Sequence, residues 1–236
     1  MENVGFRIYR HFHRPSRSLV KAFSDIPAAN IADNMNRTSC IGHQIKPYNS
    51  ALLAGTAFTV KTRPGDNLLL HKAIDMASPG DVIVVDGKSD IHNALIGELM
   101  VTWAHKRGIA GFVIDGAIRD AAHIGKMNIP VYAAGSTPAG PYKDGPGEIN
   151  TPVSCGDVTV KPGDIIIGDQ DGIVVIPSED ALRLLEKARQ TAAKEEMIMA
   201  DIRNGIWDRE WIDQTLRNKG CNMLDSDFST RPNADR

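Results

Sequence analysis

Arg119 and Asp120 stand side by side at the end of the run G-F-V-I-D-G-A-I-R-D, residues 111–120. A guanidinium grips a planar carboxylate through two parallel hydrogen bonds. A carboxylate holds a hard divalent cation. Adjacent in sequence, the two describe a site for a small anion that also chelates metal. The apolar run 109–114 reads as a buried strand, Asp115-Gly116 is a turn signal, and residues 118–127 can open a helix. The pair is therefore expected at a strand-to-helix junction, where α/β proteins tend to bind ligands. Each residue also has a plainer reading. Arg119 can serve as a structural salt-bridge partner of Asp115, and Asp120 as an acid in the first turn of a helix.

The elements around this junction alternate. Ser24-Asp25-Ile26-Pro27 reads as a helix start, with the helix running to about Met35. Strands are expected at 53–60, 82–85, 110–114 and 131–134, with helices at 67–77, 93–106 and 118–127 between them. This alternation implies an α/β core. Residues 136–147 are rich in proline and glycine and read as a surface loop, followed by short strands at 158–160, 165–168 and 172–176. Pro79-Gly80-Asp81 and Pro162-Gly163-Asp164 each precede an apolar run, which is a shared tight turn rather than a repeat. A long helix is expected from Pro177 through Leu182, Leu185, Ala188, Ala192 and Glu196 towards Ile202, stopped by Gly205, with a short helix begun by Trp207 and Trp211. The organisation is thus an N-terminal arm (1–24), an α/β catalytic domain (25–177), a helical extension (178–220) and a polar tail (221–236). A long terminal helix of this kind often packs on a neighbouring subunit.

Composition narrows the function classes. Hydrophobic content of 42% and charged content of 24% are ordinary for a globular chain. A formal charge of −2 argues against a nucleic-acid partner. No apolar run is long enough for a membrane span. Three cysteines without C-x-x-C spacing fit a reducing cytoplasm, with no disulfide framework and no structural zinc. The histidines show no H-E-x-x-H pattern, and phosphate loop, nucleophile elbow and dinucleotide fingerprint are all missing.

The D-G-A-I-R-D motif resembles that of the family containing the regulator of ribonuclease activity A and the 4-hydroxy-4-methyl-2-oxoglutarate / 4-carboxy-4-hydroxy-2-oxoadipate aldolases. Gly65-Asp66-Asn67 before a helical run, Pro79-Gly80-Asp81 before a strand, and Gly97-Glu98-Leu99-Met100 match as well, over roughly residues 25–177. The resemblance implies a compact layered α/β fold of the ribonuclease-regulator type with helical extensions at both ends. It implies a self-assembled trimer or hexamer, Mg²⁺ or Mn²⁺ held by Asp120, and a 2-oxo acid contacted by Arg119 and by Gly97, Glu98, Leu99 and Met100. If a helix begins near Gly97, its free backbone N–H groups suit that anion. Glu98 would orient metal-bound water, its plainer reading being a solvent-facing helical glutamate. An acid of the C-terminal helix, Glu195 in preference to Glu196, would reach a neighbouring subunit's site; a solvated helical face is the plainer reading. Asp66 and Asp115 read first as turn and cap residues, and His92 as the one histidine near the site.

The activity implied is a class II aldolase splitting 4-hydroxy-2-oxo acids to pyruvate and a second 2-oxo acid, with oxaloacetate decarboxylation as a side reaction and aromatic-acid breakdown as the setting. The alternative is a non-catalytic protein inhibitor of a ribonuclease, since one fold serves both roles. Some relatives carry a demethylmenaquinone methyltransferase label, which nothing glycine-rich in this chain supports. One departure stands out. After Val85 the family often shows a glycine pair, whereas this chain runs Asp86-Gly87-Lys88-Ser89-Asp90.

Overall fold

The computed structural model describes residues 3–225 and 227. Its contacts divide the chain into two units, one ending at Ala192 and one beginning at Ala193. The first unit carries β1 (Phe6–Ile8), α1 (Arg17–Phe23), α2 (Ala28–Asp33), β2 (Lys46–Pro47), β3 (Leu53–Thr62), α3 (Leu68–Met76), β4 (Asp81–Ile96), α4 (Glu98–Lys106) and β5 (Gly111–Ile118). It continues with α5 (Ala121–Ile124), β6 (Val131–Ser136), β7 (Gly147–Ile149), β8 (Val153–Cys155), β9 (Val158–Val160), β10 (Ile165–Asp169) and β11 (Gly172–Ile176). Helix α6 (Ala181–Arg203) crosses from the first unit into the second, and α7 (Glu210–Asn218) lies in the second.

The layered α/β architecture is the expected one. Strands β3, β4, β5 and β6 pair in parallel, in sequence order, inside a nine-stranded sheet. Helices α3, α4 and α5 connect them. Parallel strands are covered on both faces, so they read as continuous apolar runs in which alternate residues serve opposite cores. Ile83, Val85, Phe112 and Ile114 pack with Leu69, Leu70, Ala73, Ile74, Val101 and Ala104 of α3 and α4. Val82, Val84 and Val113 turn to the other face and meet Cys155, Val160 and Ile166. A third cluster joins Phe23, Ile31, Ile165 and Ile176 to Ala181, Leu184, Leu185 and Ala188 of α6. Leu182 is 74% exposed, and the buried stripe of α6 runs through Ala181, Leu184, Leu185 and Ala188.

Other boundaries move for physical reasons. Residues 3–24 of the arm carry two elements: Ser16 caps α1 by accepting from the Leu19 amide, and β1 pairs with β7. Ser24 closes α1 rather than opening α2, its Oγ donating to the Lys21 carbonyl, and α2 starts behind Pro27 without a side-chain cap. The helix expected from Pro177 begins at Ala181. The helix expected at 93–106 begins at Glu98, because residues 93–96 still belong to β4. The helix expected at 118–127 shrinks to four residues, since β5 runs on to Ile118. The 82–85 strand extends to Ile96 by a detour. Lys88 and Ser89 both adopt left-handed backbone (φ 61° and 54°), and the pairing with β5 slips between Asp86, Asp90 and Ala94. Two buried carboxylates hold the detour: Asp86 takes Lys88 Nζ at 3.1 Å, and Asp115 takes Ser89 Oγ at 2.7 Å and the Gly156 amide at 3.3 Å. Asp115-Gly116 is thus strand, not turn.

The two Pro-Gly-Asp segments form the same turn. Gly80 and Gly163 take φ of 91° and 95°, and Asp81 and Asp164 each accept a backbone N–H three residues back at 2.8 Å.

Asp66 is a different kind of anchor. It is fully buried, and its carboxylate accepts the amides of Leu68, Asp144 and Gly145 at 3.0, 2.7 and 2.9 Å. It ties the start of α3 to the 136–147 loop. Asp66→Ala leaves three donors without their acceptor, a loss expected to cost about 3 kcal/mol. Denaturant unfolding of wild type and variant checks this; equal midpoints would show that the loop supplies its own acceptors.

No helix among the described residues is long and apolar enough to cross a membrane.

Candidate functional site

The carboxyl ends of β4 and β5 lie side by side and deliver two short sequences to one place. Ile96 pairs with Ile118, so Gly97 and Arg119 follow as neighbours, and the Arg119 amide donates to the Ile96 carbonyl at 2.9 Å. Gly97 is the cap residue of α4 and has no side chain to satisfy the helix start. Asp120 takes that place from outside: its Oδ2 accepts the Glu98 amide at 3.0 Å. The amides of Leu99 and Met100 find no acceptor among the described residues. Helix α4 therefore opens with free N–H groups and the positive end of its dipole, an arrangement that favours an anion.

Asp120 occupies the left-handed region (φ 57°, ψ 33°), uncommon outside glycine and a frequent mark of a functional site. It precedes α5 yet makes no side-chain cap there. The dipole reading of Asp120 therefore applies to α4 rather than to its own helix. Its Oδ1 has no partner among the described residues, and the side chain is 40% exposed. Among the described residues no three histidine, cysteine or acidic side chains converge on one point. One free carboxylate oxygen suits a hydrated Mg²⁺ or Mn²⁺, which keeps several waters and takes one or two carboxylates; it does not suit a structural zinc.

Arg119 does not pair with Asp115, whose oxygens serve Ser89 and Gly156. Its ion-pair partner among the described residues is Asp120, with Nε at 3.7 Å from Oδ2, a loose contact that leaves the guanidinium donors available. Arg119 lines two adjoining cavities. One, of about 310 Å³, is walled by Asn67, His71, Gly97, Leu99, Met100 and Lys143 among others. The second, of about 360 Å³, is formed with Asp120, Ala121, Ser136, Thr137 and Pro138. Burial and the nearby Lys143 charge push the His71 imidazole below its ordinary pKa, so it stands neutral at pH 7 and leaves Lys143 and Arg119 as the cations of the first cavity. Asn67, only 2% exposed, donates to the Leu95 carbonyl at 2.9 Å while its Oδ1 has no partner among the described residues.

Gly97, Glu98, Leu99, Met100, Arg119 and Asp120 thus come together. Glu98 is half-exposed, with its carboxylate 3.9 Å from His123 Nδ1. Leu99 is 81% exposed and lines the first cavity. Glu195 and Glu196 lie on the exposed part of α6 past Ala192, in the second unit. His92 pairs with Asp90 at 2.7 Å, and its carbonyl accepts from Thr137, a wall residue of the second cavity. Sequence reasoning missed Lys143 and His71 as wall residues. The 136–147 loop reads as plain connection; the Ala94 amide donating to the Ala139 carbonyl, the Asn93 side chain donating to the Gly140 carbonyl and the bonds to Asp66 fold it over the site.

The chain resembles known proteins over most of its length. The RraA-like family model (Aldolase/RraA) matches residues 28–175. A protein of Halalkalibacterium halodurans named "Putative 4-hydroxy-4-methyl-2-oxoglutarate aldolase" is 43% identical over 178 residues, 75% of this chain and 85% of that one. Among solved structures, Streptomyces coelicolor RraAS2, described as an unusual member of the RNase ES inhibitor RraA family, superposes with a TM-score of 0.73 at 26% identity, covering 79% of this chain and 98% of that one. The RNA-processing inhibitor RraA from Thermus thermophilis superposes with a TM-score of 0.61 at 28% identity, covering 65% and 93%.

Proposed function

The chain belongs to the RraA-like (Aldolase/RraA) family, and on that premise we propose that it is a class II aldolase acting on 4-hydroxy-2-oxo acids that carry a further carboxylate. The observation that carries this reading is the meeting of Arg119 with the unpaired amides of α4 beside the free oxygen of Asp120. Arg119 binds the carboxylate of the pyruvate-like end, and the Leu99 and Met100 amides share its negative charge. Asp120 holds Mg²⁺ or Mn²⁺, which supplies Lewis-acid stabilisation of the enolate charge when bound. Glu98, or Glu195 of a neighbouring copy in a trimer or hexamer, holds the water that takes the proton from the 4-hydroxyl as the C3–C4 bond breaks. The electrons of that bond pass to the 2-oxo oxygen, where Arg119 opposes the growing charge. The same electron sink supports decarboxylation of oxaloacetate. Catalysis needs no Schiff base, so no lysine is asked to form one.

Pyruvate release from 4-hydroxy-4-methyl-2-oxoglutarate and from oxaloacetate tests the reading. EDTA is expected to reduce both rates at least about a hundredfold, and Mg²⁺ or Mn²⁺ to restore them. Silence on both substrates with either metal would overturn it. The solved RraA relatives support a second reading, a ribonuclease inhibitor. That reading predicts dose-dependent loss of activity of a ribonuclease E-type enzyme and no pyruvate.

A further inference from the structure

A separate cavity of about 510 Å³ opens at the opposite ends of the same strands, between α1, the first residues of β3 and the turn before β4. Pro15, Val20, Ala54 and Pro79 give it apolar walls. Arg14, Arg17 and Lys21 stand around it, against a single carboxylate, Asp81. Arg14 already neutralises Asp81 through Nε and Nη2 at 2.9 and 2.8 Å. Arg17 spends only Nη2, on the Pro79 carbonyl at 3.2 Å, and Lys21 has no acidic partner among the described residues. Two cations are thus left over. Thr56, only 5% exposed as a residue, also lines the cavity.

We propose that this cavity binds an amphipathic small-molecule anion, with an oxyanion head held by Arg17 and Lys21 and an apolar body lying along Val20, Ala54 and the two prolines. The volume falls within the usual range for small-molecule sites, and apolar walls with a few convergent polar groups are their usual lining. The cavity shares no residue with the Arg119 site, and it does not depend on the aldolase reading.

Octanoate and octyl phosphate serve as probes, with octanol and inorganic phosphate as the controls for body and head, in calorimetric titrations of the full chain. Saturable one-site binding of at least one amphipathic probe, tighter than either control, is expected, and the better probe tells carboxylate from phosphate. Lys21→Gln with Arg17→Gln should weaken it about tenfold, a loss of about 1.4 kcal/mol. Thr56→Val should weaken it about threefold, and Arg119→Ala should leave it unchanged. Absence of saturable binding by both probes, indifference to the Arg17 and Lys21 changes, or loss of binding in Arg119→Ala would each overturn the proposal. Unfolding midpoints of the variants show whether any lost binding reflects lost structure.

Discussion

Arg119→Ala is expected to lower kcat/KM for pyruvate release about a thousandfold while leaving the fold intact. The guanidinium makes one loose ion pair, at 3.7 Å, and its Nη1 reaches towards Gly140 across the mouth of the cavity. Its donors therefore remain for a ligand. Two charge-assisted hydrogen bonds at about 1.5–3 kcal/mol each amount to roughly 3–6 kcal/mol, and a thousandfold is about 4 kcal/mol. The loss should fall on kcat as well as KM, because the enolate oxygen carries more charge than the ketone it comes from. Arg119→Lys should recover little, since an ammonium offers a point charge where a planar fork is needed. The side chain is half-exposed and the structural bond at this residue is the backbone one to Ile96, so the unfolding midpoint should move by no more than about 0.5 kcal/mol. Steady-state kinetics at saturating Mg²⁺ check this. Rates within threefold of wild type would remove Arg119 from the chemistry, whatever the protein proves to catalyse.

What the sequence conveyed and what it hid divide along physical lines. The buried parallel strands were legible because both faces are covered, so 82–85, 110–114 and 131–134 read as unbroken apolar runs. Strands at 158–160 and 172–176 match to the residue, bounded as they are by turn-forming glycine and aspartate. The detour of β4 was not legible. Asp86, Lys88, Ser89 and Asp90 are turn formers by composition, and only Asp115, distant in sequence, shows that Ser89 is held against a neighbouring strand. The same blindness affected Asp115 itself: a carboxylate in an Asp-Gly pair predicts a turn, but the ladder with β4 overrides that local preference. Arg119 and Asp120 stand out in the sequence as candidates for chemistry because no core needs an arginine and an aspartate side by side. Their relation to Gly97 was open only as an alternative helix start, and it became definite through the Ile96–Ile118 pairing. Lys143 and His71 were hidden because a loop's path carries no periodicity.

Gly97→Ala tests that relation most directly, and it is expected to disable the site without unfolding the protein. Gly97 has φ −148° and ψ −173°, extended backbone open to any residue, so the change carries no conformational penalty of its own. The added methyl carbon would lie 2.6 Å from Asp120 Oδ2, 2.9 Å from Arg119 Cγ and 3.0 Å from Arg119 Nε. No backbone atom is among these three contacts, and both side chains are partly exposed, so they can swing outward. The core behind them stays as it is. What is lost is the arrangement: Asp120 leaves the Glu98 amide, and the guanidinium leaves the cavity wall that α4 begins. Displacing the group that orients a metal-binding carboxylate typically costs about ten- to a hundredfold in affinity or rate. Misplacing Arg119 at the same time brings the expected fall in kcat/KM to about a hundredfold or more. Mn²⁺ binding followed by electron paramagnetic resonance should weaken about tenfold, approaching Asp120→Ala, while the unfolding midpoint changes little. A Gly97→Ala protein with wild-type Mn²⁺ affinity and wild-type turnover would show that the start of α4 and the Arg119-Asp120 pair do not act together. The proposed site would then have to be sought elsewhere on the sheet.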